Sequence, residues 1–335
     1  MGASLRNAAP GDSLGPNASG GRAARTPGAA PFVVSAGPPG REGRSVSESR
    51  PFVSLATDFG AAYTGTCAGV VHAIAPTAAV LVLSDEITPY RVREGAMLLR
   101  QALPYLPVGV HIGIVDPGVG TPRRPVAVVT GRGDVLIGPD NGLLPPAAEK
   151  LGGAVRAHVL ENPAYRQESV STTFHGRDVF APAGAHVARG VEVADLGPAV
   201  DPDALVPLDV RAPSVREGEL TAGVLYTDRY GSLVLHAGRD DLAAALGGVA
   251  YGDPLDLSLT GADGTPRRVR APFAETFGSV ARGEPLVWVD SSGWLGLAVN
   301  QGSAAERFAL DDDGTLTIRR APTVPAPTEP APAPR

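Results

Sequence analysis

Residues 108–120 read Val-Gly-Val-His-Ile-Gly-Ile-Val-Asp-Pro-Gly-Val-Gly, an apolar run that ends in an aspartate and a glycine turn. A short apolar run bounded by a turn is typical of a β-strand. The proline and glycines of 117–120 break the strand and begin a tight connection. This stretch therefore predicts one strand of a sheet, with an acidic side chain at the point where the strand ends.

Strand and helix patterns alternate on both sides of this stretch. Strand patterns cover 52–57, 79–83, 125–130 and 134–137, and helical patterns cover 63–75, 89–103 and 178–189. The run at 79–83 is apolar throughout, which is typical of a buried parallel strand. Such alternation predicts an N-terminal α/β/α layered domain with a mainly parallel sheet, and we assign residues 51–205 to it.

After residue 213 the pattern changes to short strand-like runs, many of them separated by glycine or Asp-Gly turns. The runs cover 220–227, 232–235, 254–260, 267–271, 285–290, 294–299 and 315–319. Closely spaced short strands favour a small β-barrel or a sandwich. We predict a smaller C-terminal β-barrel domain over 216–320.

The two ends of the chain differ from the middle in composition. Residues 1–50 hold nine glycines and six prolines but a single aromatic residue, and 321–335 hold six prolines. Such segments bury too little apolar surface to offset the entropy that ordering costs. Both are predicted to be disordered, and a targeting peptide or a misplaced start codon are the alternatives for the first.

The composition of the whole chain excludes several classes of protein. Its 335 residues carry a formal charge of −6 and include one cysteine, Cys67. One cysteine rules out a disulfide framework and a cysteine-rich metal site, and no apolar run reaches the length of a membrane span. The acidic balance argues against nucleic-acid binding. We therefore expect a soluble, cytoplasmic protein with no nucleic-acid or membrane partner.

Three predicted strands are followed by an aspartate in a turn: Asp58, Asp116 and Asp140. Ligands of open α/β sheets bind beyond the carboxyl ends of the strands, so these carboxylates are expected to converge at one edge. The alternative is that each aspartate only forms its own turn.

The densest polar cluster is Thr-Phe-His-Gly-Arg-Asp at 173–178, just before a predicted helix. Asp178 is expected to cap that helix. His175 is either structural or part of a ligand pocket, and its aromatic and glycine neighbours favour the pocket. Asp58, Asp116, His175 and Asp178 also offer metal ligands, but without a His-x-x-x-His or cysteine pair the metal alternative has weak support.

Together these stretches resemble the S-adenosyl-L-methionine hydroxide adenosyltransferases, which are relatives of fluorinating and chlorinating enzymes that use the same substrate. The matching stretches lie, in order, at 57–60, 87–95, 115–123, 138–144, 173–182, 228–231, 276–277, 291–295 and 298–302. The matches run through both predicted domains, and it is their order that makes the resemblance specific.

The resemblance implies an enzyme that hydrolyses S-adenosyl-L-methionine to adenosine and L-methionine, with water or hydroxide attacking the ribose C5′. S-adenosyl-L-methionine would then be the substrate, and no separate cofactor or metal is expected. The resemblance also implies a homotrimer whose sites lie between the N-terminal domain of one subunit and the C-terminal domain of its neighbour.

The same resemblance assigns roles to individual residues. The implied catalytic set is Asp116, Arg123 and His175. The implied substrate-binding set is Asp58 at the ribose hydroxyls, Tyr90, Phe174 and Phe277 around the ligand, Asp228, Ser232 and Ser291 at the methionine moiety, Asn300 on the adenine side, and Asn141. For Tyr90 and Phe277 the alternative is ordinary core packing.

Departures from the halogenating relatives favour hydroxide over halide. Asp116 stands where those enzymes have a tyrosine, and Gly176 stands where the fluorinating enzyme has a halide-binding serine. Ser232 replaces the asparagine that is usual at its position. Two alternatives remain open: a halogenase that forms 5′-halo-5′-deoxyadenosine, and a non-catalytic module that binds adenosine or S-adenosylmethionine.

Overall fold

The computed structural model describes residues 50–261 and 264–322. The strands are β1 Phe52–Thr57, β2 Ala79–Ser84, β3 Val110–Ile114, β4 Pro125–Thr130, β5 Val135–Pro139, β6 Ala154–Val159, β7 Ala199–Val200, β8 Ser214–Arg216, β9 Glu219–Thr227, β10 Leu233–Gly238, β11 Pro254–Thr260, β12 Pro266–Pro272, β13 Pro285–Val289, β14 Trp294–Val299 and β15 Thr315–Arg320. The α-helices are α1 Gly60–Ile74, α2 Val92–Ala102, α3 Pro145–Lys150, α4 Ala181–Ala188, α5 Arg239–Leu246 and α6 Ala304–Phe308. Apart from Arg50, Ala321 and Pro322, the two segments predicted to be disordered lie outside the described residues.

The first sheet has the strand order β2-β1-β3-β5-β4-β6-β7. The pairs β2–β1, β1–β3 and β3–β5 are parallel, whereas β5–β4, β4–β6 and β6–β7 are antiparallel. Residues 131–134 join β4 to β5, and a link this short forces an antiparallel pair because a parallel one needs a long crossover. Five of the seven strands (β1, β2, β3, β5 and β6) still point the same way, so the sheet is mainly parallel but mixed.

Helices cover both faces of this sheet. On one face α1 and α4 share an apolar cluster with β1 and β3 that includes Leu55, Val71 and Ala183. On the other face α2 and α3 contribute Leu99 and Ala147 to a second cluster. The predicted α/β/α layering is therefore confirmed.

Strand β2 is parallel, as predicted, but the expectation that it is buried was wrong. It lies at the edge of the sheet, where Leu81 keeps 38% and Val82 keeps 42% of its surface exposed. An apolar run indicates that the strand needs to be covered, and among residues 50–261 and 264–322 nothing covers much of β2.

The second sheet is antiparallel, with the order β12-β11-β15-β9-β10-β14-β13 and with β8 paired to β9. A bridge between Phe273, just after β12, and Val287 in β13 brings its two edges together. Its inward side chains form one apolar core that includes Leu257, Leu297 and Ile318. The prediction of a smaller C-terminal β-barrel is therefore confirmed.

The barrel packs against α2 of the layered part. The side-chain amide of Gln101 donates to the Tyr226 hydroxyl at 2.9 Å, and the Arg100 guanidinium lies over the Trp294 ring at 5.5 Å. Leu225 of β9 joins the apolar cluster of α2 and α3. In the described ranges, every helix falls short of the length and apolar character that a bilayer crossing requires.

A buried polar cluster ties three strands together at the amino-terminal edge of the first sheet. Ser54 Oγ and His111 Nδ1 are 2.8 Å apart, and His111 Nε2 lies 3.1 Å from Asp134 Oδ1. Arg132 also donates to both Asp134 oxygens, at 2.7 and 2.8 Å. Burial lowers the pKa of His111. Burial alone would raise the pKa of Asp134, but its bonds from Arg132 and His111 prevail and lower it.

Replacing Asp134 by alanine is expected to lower the free energy of unfolding by about 3–5 kcal/mol, because His111 and Arg132 lose a fully buried partner. Asp256→Ala is the control, since Asp256 pairs with Arg270 on the exposed face of the barrel and such pairs contribute about 0–1 kcal/mol. Urea unfolding measures both variants. Equal losses in the two would contradict a structural role for the buried cluster.

Candidate active site

Two of the three aspartates that follow strands meet at the carboxyl edge of the first sheet. Asp58 after β1 and Asp116 after β3 both line a cleft of about 290 Å³. Phe174, His175 and Gly176 enter the same cleft from the segment before α4. Asp140 does not join them, because its carboxylate accepts from Arg124 Nε at 2.8 Å and from the Val206 N–H at 2.8 Å.

Arg123 links Asp116 to His175. Its Nε donates to both Asp116 oxygens, at 3.0 and 2.9 Å, and its Nη2 donates to Asp116 Oδ2 as well. The same Nη2 lies 2.9 Å from His175 Nδ1. The Arg123 and Asp116 side chains are only 9% and 6% exposed, and the guanidinium lies over the Phe180 ring at 5.2 Å.

This contact fixes the chemistry of the imidazole. A guanidinium only donates hydrogen bonds, so His175 Nδ1 accepts and the neutral ring carries its proton on Nε2. Burial and the Arg123 charge both lower the pKa of His175. His175 is therefore neutral at pH 7, with an N–H to offer to an oxygen atom.

The backbone brings the two loops of the site together at glycines. Gly120 has φ +78°, and a Cβ there would lie 2.6 Å from the Thr172 carbonyl oxygen, so only glycine fits. Gly176 opens a π-helical turn, Gly176–Phe180, and a Cβ there would lie 3.2–3.4 Å from Phe59, Phe174 and Cys67.

Asp178 lies inside this turn rather than at a helix cap, so the capping prediction was wrong. The turn begins two residues earlier than the predicted helix. The Asp178 carboxylate instead accepts from the Ser171 N–H at 2.9 Å and pairs with Arg177. It thereby holds the chain segment that enters the cleft next to His175.

Asp58 and Tyr90 meet through the backbone. The Tyr90 N–H donates to Asp58 Oδ2 at 2.9 Å, while the Tyr90 side chain is 73% exposed, so the core-packing alternative is wrong for this residue. Burial raises the pKa of Asp58 even though this N–H opposes the shift.

Sequence reasoning missed part of the aromatic wall of the cleft. Phe59 lines the cleft and meets the Phe174 ring edge-on at 5.9 Å between centroids, and Tyr63 supports the same ring from behind the wall at 5.4 Å. Phe59 directly precedes α1 and Tyr63 lies four residues later in its first turn, and this spacing is the signal that was available in the sequence.

A second groove, of about 490 Å³, lies on the barrel. Three of the predicted binding residues, Ser232, Phe277 and Asn300, line it together with Tyr230 and Gln301. The ring of Phe277 is 45% exposed and faces this groove, so simple core packing does not describe it. The groove and the cleft have no lining residue in common.

Asp228 forms the turn beside this groove. Its Oδ1 accepts from the Tyr230 and Ser232 N–H groups, both at 2.8 Å. Asp228 is half-buried, whereas Ser232 is buried.

Asn141 and Ser291 line neither the cleft nor the barrel groove. Asn141 Nδ2 donates to the Val115 carbonyl at 2.9 Å, and its Oδ1 accepts from the Leu143 N–H at 3.2 Å. Ser291 is exposed at the turn from β13 to β14, the opposite end of that hairpin from Asn300. A binding role for either residue stays a prediction.

In the part of the chain that the structure describes, no three His, Cys, Asp or Glu side chains are grouped so that they would hold a metal ion.

Comparisons with known proteins identify the family. Residues 53–197 match the family model described as the SAM hydroxide adenosyltransferase N-terminal domain, and residues 222–317 match that of the C-terminal domain. The chain belongs to the SAM hydroxide adenosyltransferase family.

Relatives of this family member include a Salinispora tropica protein named (R)-S-adenosyl-L-methionine hydrolase, which is 44% identical over 80% of this chain and 97% of the relative. A protein named fluorinase from an Actinoplanes species is more distant, at 26% identity over 82% of this chain and 99% of the relative. A solved structure of an uncharacterized conserved Thermotoga maritima protein is also similar, with a TM-score of 0.71 and 29% identity over 80% of this chain and all of that one.

NMR titration of His175 is expected to give a pKa below the ordinary value of about 6.5. Arg123→Met should raise that pKa, because it removes a cation and leaves the Asp116 charge uncompensated nearby. Arg124→Met is the matched control, since that side chain binds Asp140 instead. His175→Gln identifies the resonance, and an unchanged pKa in Arg123→Met would contradict the geometry described above.

Proposed function

We propose that this protein hydrolyses S-adenosyl-L-methionine to adenosine and L-methionine. The observation that carries the proposal is the Asp116–Arg123–His175 network at the cleft beside the Asp58 carboxylate. Family membership and relatives that are named hydrolases support the same reaction.

In the proposed step the oxygen of a water molecule attacks the ribose C5′ and the C5′–S bond breaks. The bonding electron pair goes to sulfur, so the sulfonium leaves as a neutral thioether and needs no general acid. The proton that water loses is the one that the protein has to accept.

Asp116 and His175 divide the handling of this water. Asp116 Oδ1 accepts a single bond from Arg123 Nε and has capacity for a further donor, so it is the acceptor of the water proton. The His175 Nε2–H holds the water oxygen, and the Arg123 charge stabilises the negative charge that develops there. Fixed placement against C5′ supplies much of the remaining acceleration.

The proposed substrate contacts divide between the two parts of the chain. In 51–205, Asp58 binds the ribose hydroxyls, and Tyr90 and Phe174 pack around the sugar. In 216–320, Phe277 and Asn300 line the adenine side, while Asp228 and Ser232 bind the methionine moiety.

Two clefts on separate parts of one chain suggest that each is half of a site. We propose a homotrimer in which the cleft of one subunit meets the barrel groove of the next. Exposed aromatic side chains at both halves support this arrangement, with Tyr90 at 73% and Tyr230 at 81% exposure, as does the uncovered apolar strand β2. The cytoplasm is the proposed compartment, and the buried free thiol of Cys67 is compatible with it.

The configuration at sulfur is the proposed basis of selectivity. The Salinispora tropica relative is named for the (R) form of the substrate, and we propose that this chain also prefers the (R)-sulfonium. Attack in line with C5′–S fixes the position of sulfur, so inversion exchanges the places of the methyl group and the amino-acid chain. Only one of the two forms then reaches the methionine contacts.

Chromatography of reaction mixtures is expected to show adenosine and methionine from S-adenosylmethionine without added halide, and faster from the (R) than from the (S) epimer. Asp116→Asn and His175→Gln should lower kcat by about 10²- to 10⁴-fold, with much less effect on substrate binding. His72→Gln, at an exposed position on α1, is the control and should keep wild-type turnover.

Three outcomes would contradict the proposal. Halide-dependent formation of 5′-halo-5′-deoxyadenosine would identify a halogenase. Tight calorimetric binding of S-adenosylmethionine with no turnover would identify a binding module. Wild-type turnover in Asp116→Asn and in His175→Gln would remove the assigned roles.

Leu81→Asp is expected to convert a trimer into monomers by light scattering, and to lower turnover because the half-sites separate. The charge would lie on the uncovered apolar surface of β2. Val155→Asp is the control, since Val155 is also exposed, at 53%, but on β6. A wild-type protein that is both monomeric and active would overturn the shared site.

A further inference from the structure

Asp312 is a buried acidic residue in the loop between α6 and β15, only 9% exposed. Its Oδ1 accepts from the Thr227 hydroxyl at 2.9 Å, and its Oδ2 lies 3.3 Å from Arg91 Nη1. Its backbone carbonyl accepts from Arg93 Nη1 at 2.9 Å. One residue of the barrel therefore contacts the start of α2 and the end of β9 at the same time.

The contact between Asp312 and Arg91 lies at a strained turn beside the cleft. Tyr90 has φ +69°, in the left-handed region that a residue other than glycine rarely adopts. Arg91 follows at φ −84° and ψ 78°, and the Val92 N–H donates to the Tyr90 carbonyl at 3.0 Å, which makes an inverse γ-turn. Such backbone persists only where surrounding contacts hold it.

The strained turn has a direct effect on the cleft, because it points the Tyr90 N–H at Asp58 Oδ2. Arg91 is the next residue in the chain, and its partner across the molecule is Asp312. Arg93 anchors the first turn of α2 to the same loop and to the Asp209 carbonyl, at 2.8 Å. The barrel loop thus fixes the segment that sets the position of the Asp58 carboxylate.

The contact between Asp312 and Thr227 lies at the base of the turn beside the barrel groove. Thr227 is the last residue of β9, and Asp228 follows it directly and forms the turn that leads to Ser232. The Asp312 bond to the Thr227 hydroxyl therefore holds the base of the turn beside the groove.

We propose that Asp312 is a positioning residue that keeps both the Tyr90–Arg91 turn and the Asp228 turn in their binding geometry. This inference rests on the proposed function. Without the charge on Asp312 Oδ2, Arg91 loses its partner, and the Tyr90 N–H that binds Asp58 is no longer held in place. Without Asp312 Oδ1, the Thr227 hydroxyl loses its acceptor, and the turn formed by Asp228 is no longer held at its base.

Asp312→Ala is expected to lower kcat/KM for S-adenosylmethionine on the order of 100-fold, the scale that a 1 Å misplacement costs. Asp313→Asn is the matched control, because Asp313 is the next residue, its side chain is 70% exposed and its partner Arg93 lies 3.6 Å away. Its kcat/KM should change by about twofold or less.

Partial variants separate the two contacts. Arg91→Ala should weaken adenosine binding in calorimetry, because only the Asp58 side is released, whereas Thr227→Val should leave adenosine binding near wild type and raise KM. Adding Asp312→Ala to Arg91→Ala should cost less than the two single losses combined, because both remove the same contact. Circular dichroism gives the folded fraction, and turnover is expressed per folded molecule.

The outcomes are distinguishable from failure of the proposed function. An active wild type with an unchanged Asp312→Ala, counted per folded molecule, overturns the inference and leaves the function standing. Additive losses in the Arg91 and Asp312 pair overturn it as well. If the wild type shows no turnover, the proposed function fails, and adenosine affinity then tests the positioning role by itself. Weaker adenosine binding by Asp312→Ala supports that role, and binding equal to wild type overturns it.

Discussion

The guanidinium of Arg123 is the group on which the candidate site depends. It fixes the Asp116 carboxylate after β3 and accepts no hydrogen bond in return, so it also decides which nitrogen of His175 holds the proton. The two side chains come from loops 59 residues apart, and the close approach at Gly120 and Thr172 allows one guanidinium to reach both. Burial keeps water from competing for these bonds, which makes their geometry durable.

Much of this arrangement could be predicted from the sequence, because acidic residues that follow parallel strands lie at the same edge of the sheet. Prediction from the sequence fails where two residues of the same type have similar local surroundings. Arg123 and Arg124 are adjacent residues just before β4, yet Arg123 binds Asp116 and Arg124 holds Asp140 in a structural pair. Nothing in the local pattern distinguishes Asp116 from Asp140.

Other features depend on contacts that no local pattern records. The apolar run of β2 indicates a strand to be covered, but not whether its own chain covers it. Asp178 sits where a cap is expected, yet the π-helical turn begins two residues earlier. Asp312 meets Thr227 across 85 residues of sequence, and its carbonyl meets Arg93 across 219. The exposure of β2, the start of the π-helical turn and the partners of Asp312 are all set by tertiary packing, which the local sequence does not encode.

The buried cluster at the other edge of the first sheet has a consequence for how the strands find their alignment. Ser54 and His111 lie directly opposite each other in the β1–β3 pairing, and Asp134 precedes β5. A slip by one residue would turn either side chain to the opposite face of the sheet. The buried Asp134 carboxylate would then lose its His111 partner, so a slipped sheet carries a free-energy cost that purely apolar strands would not impose. The cluster therefore favours a single register of β1 and β3, and that register sets the positions of Asp58 and Asp116 at the opposite edge of the sheet.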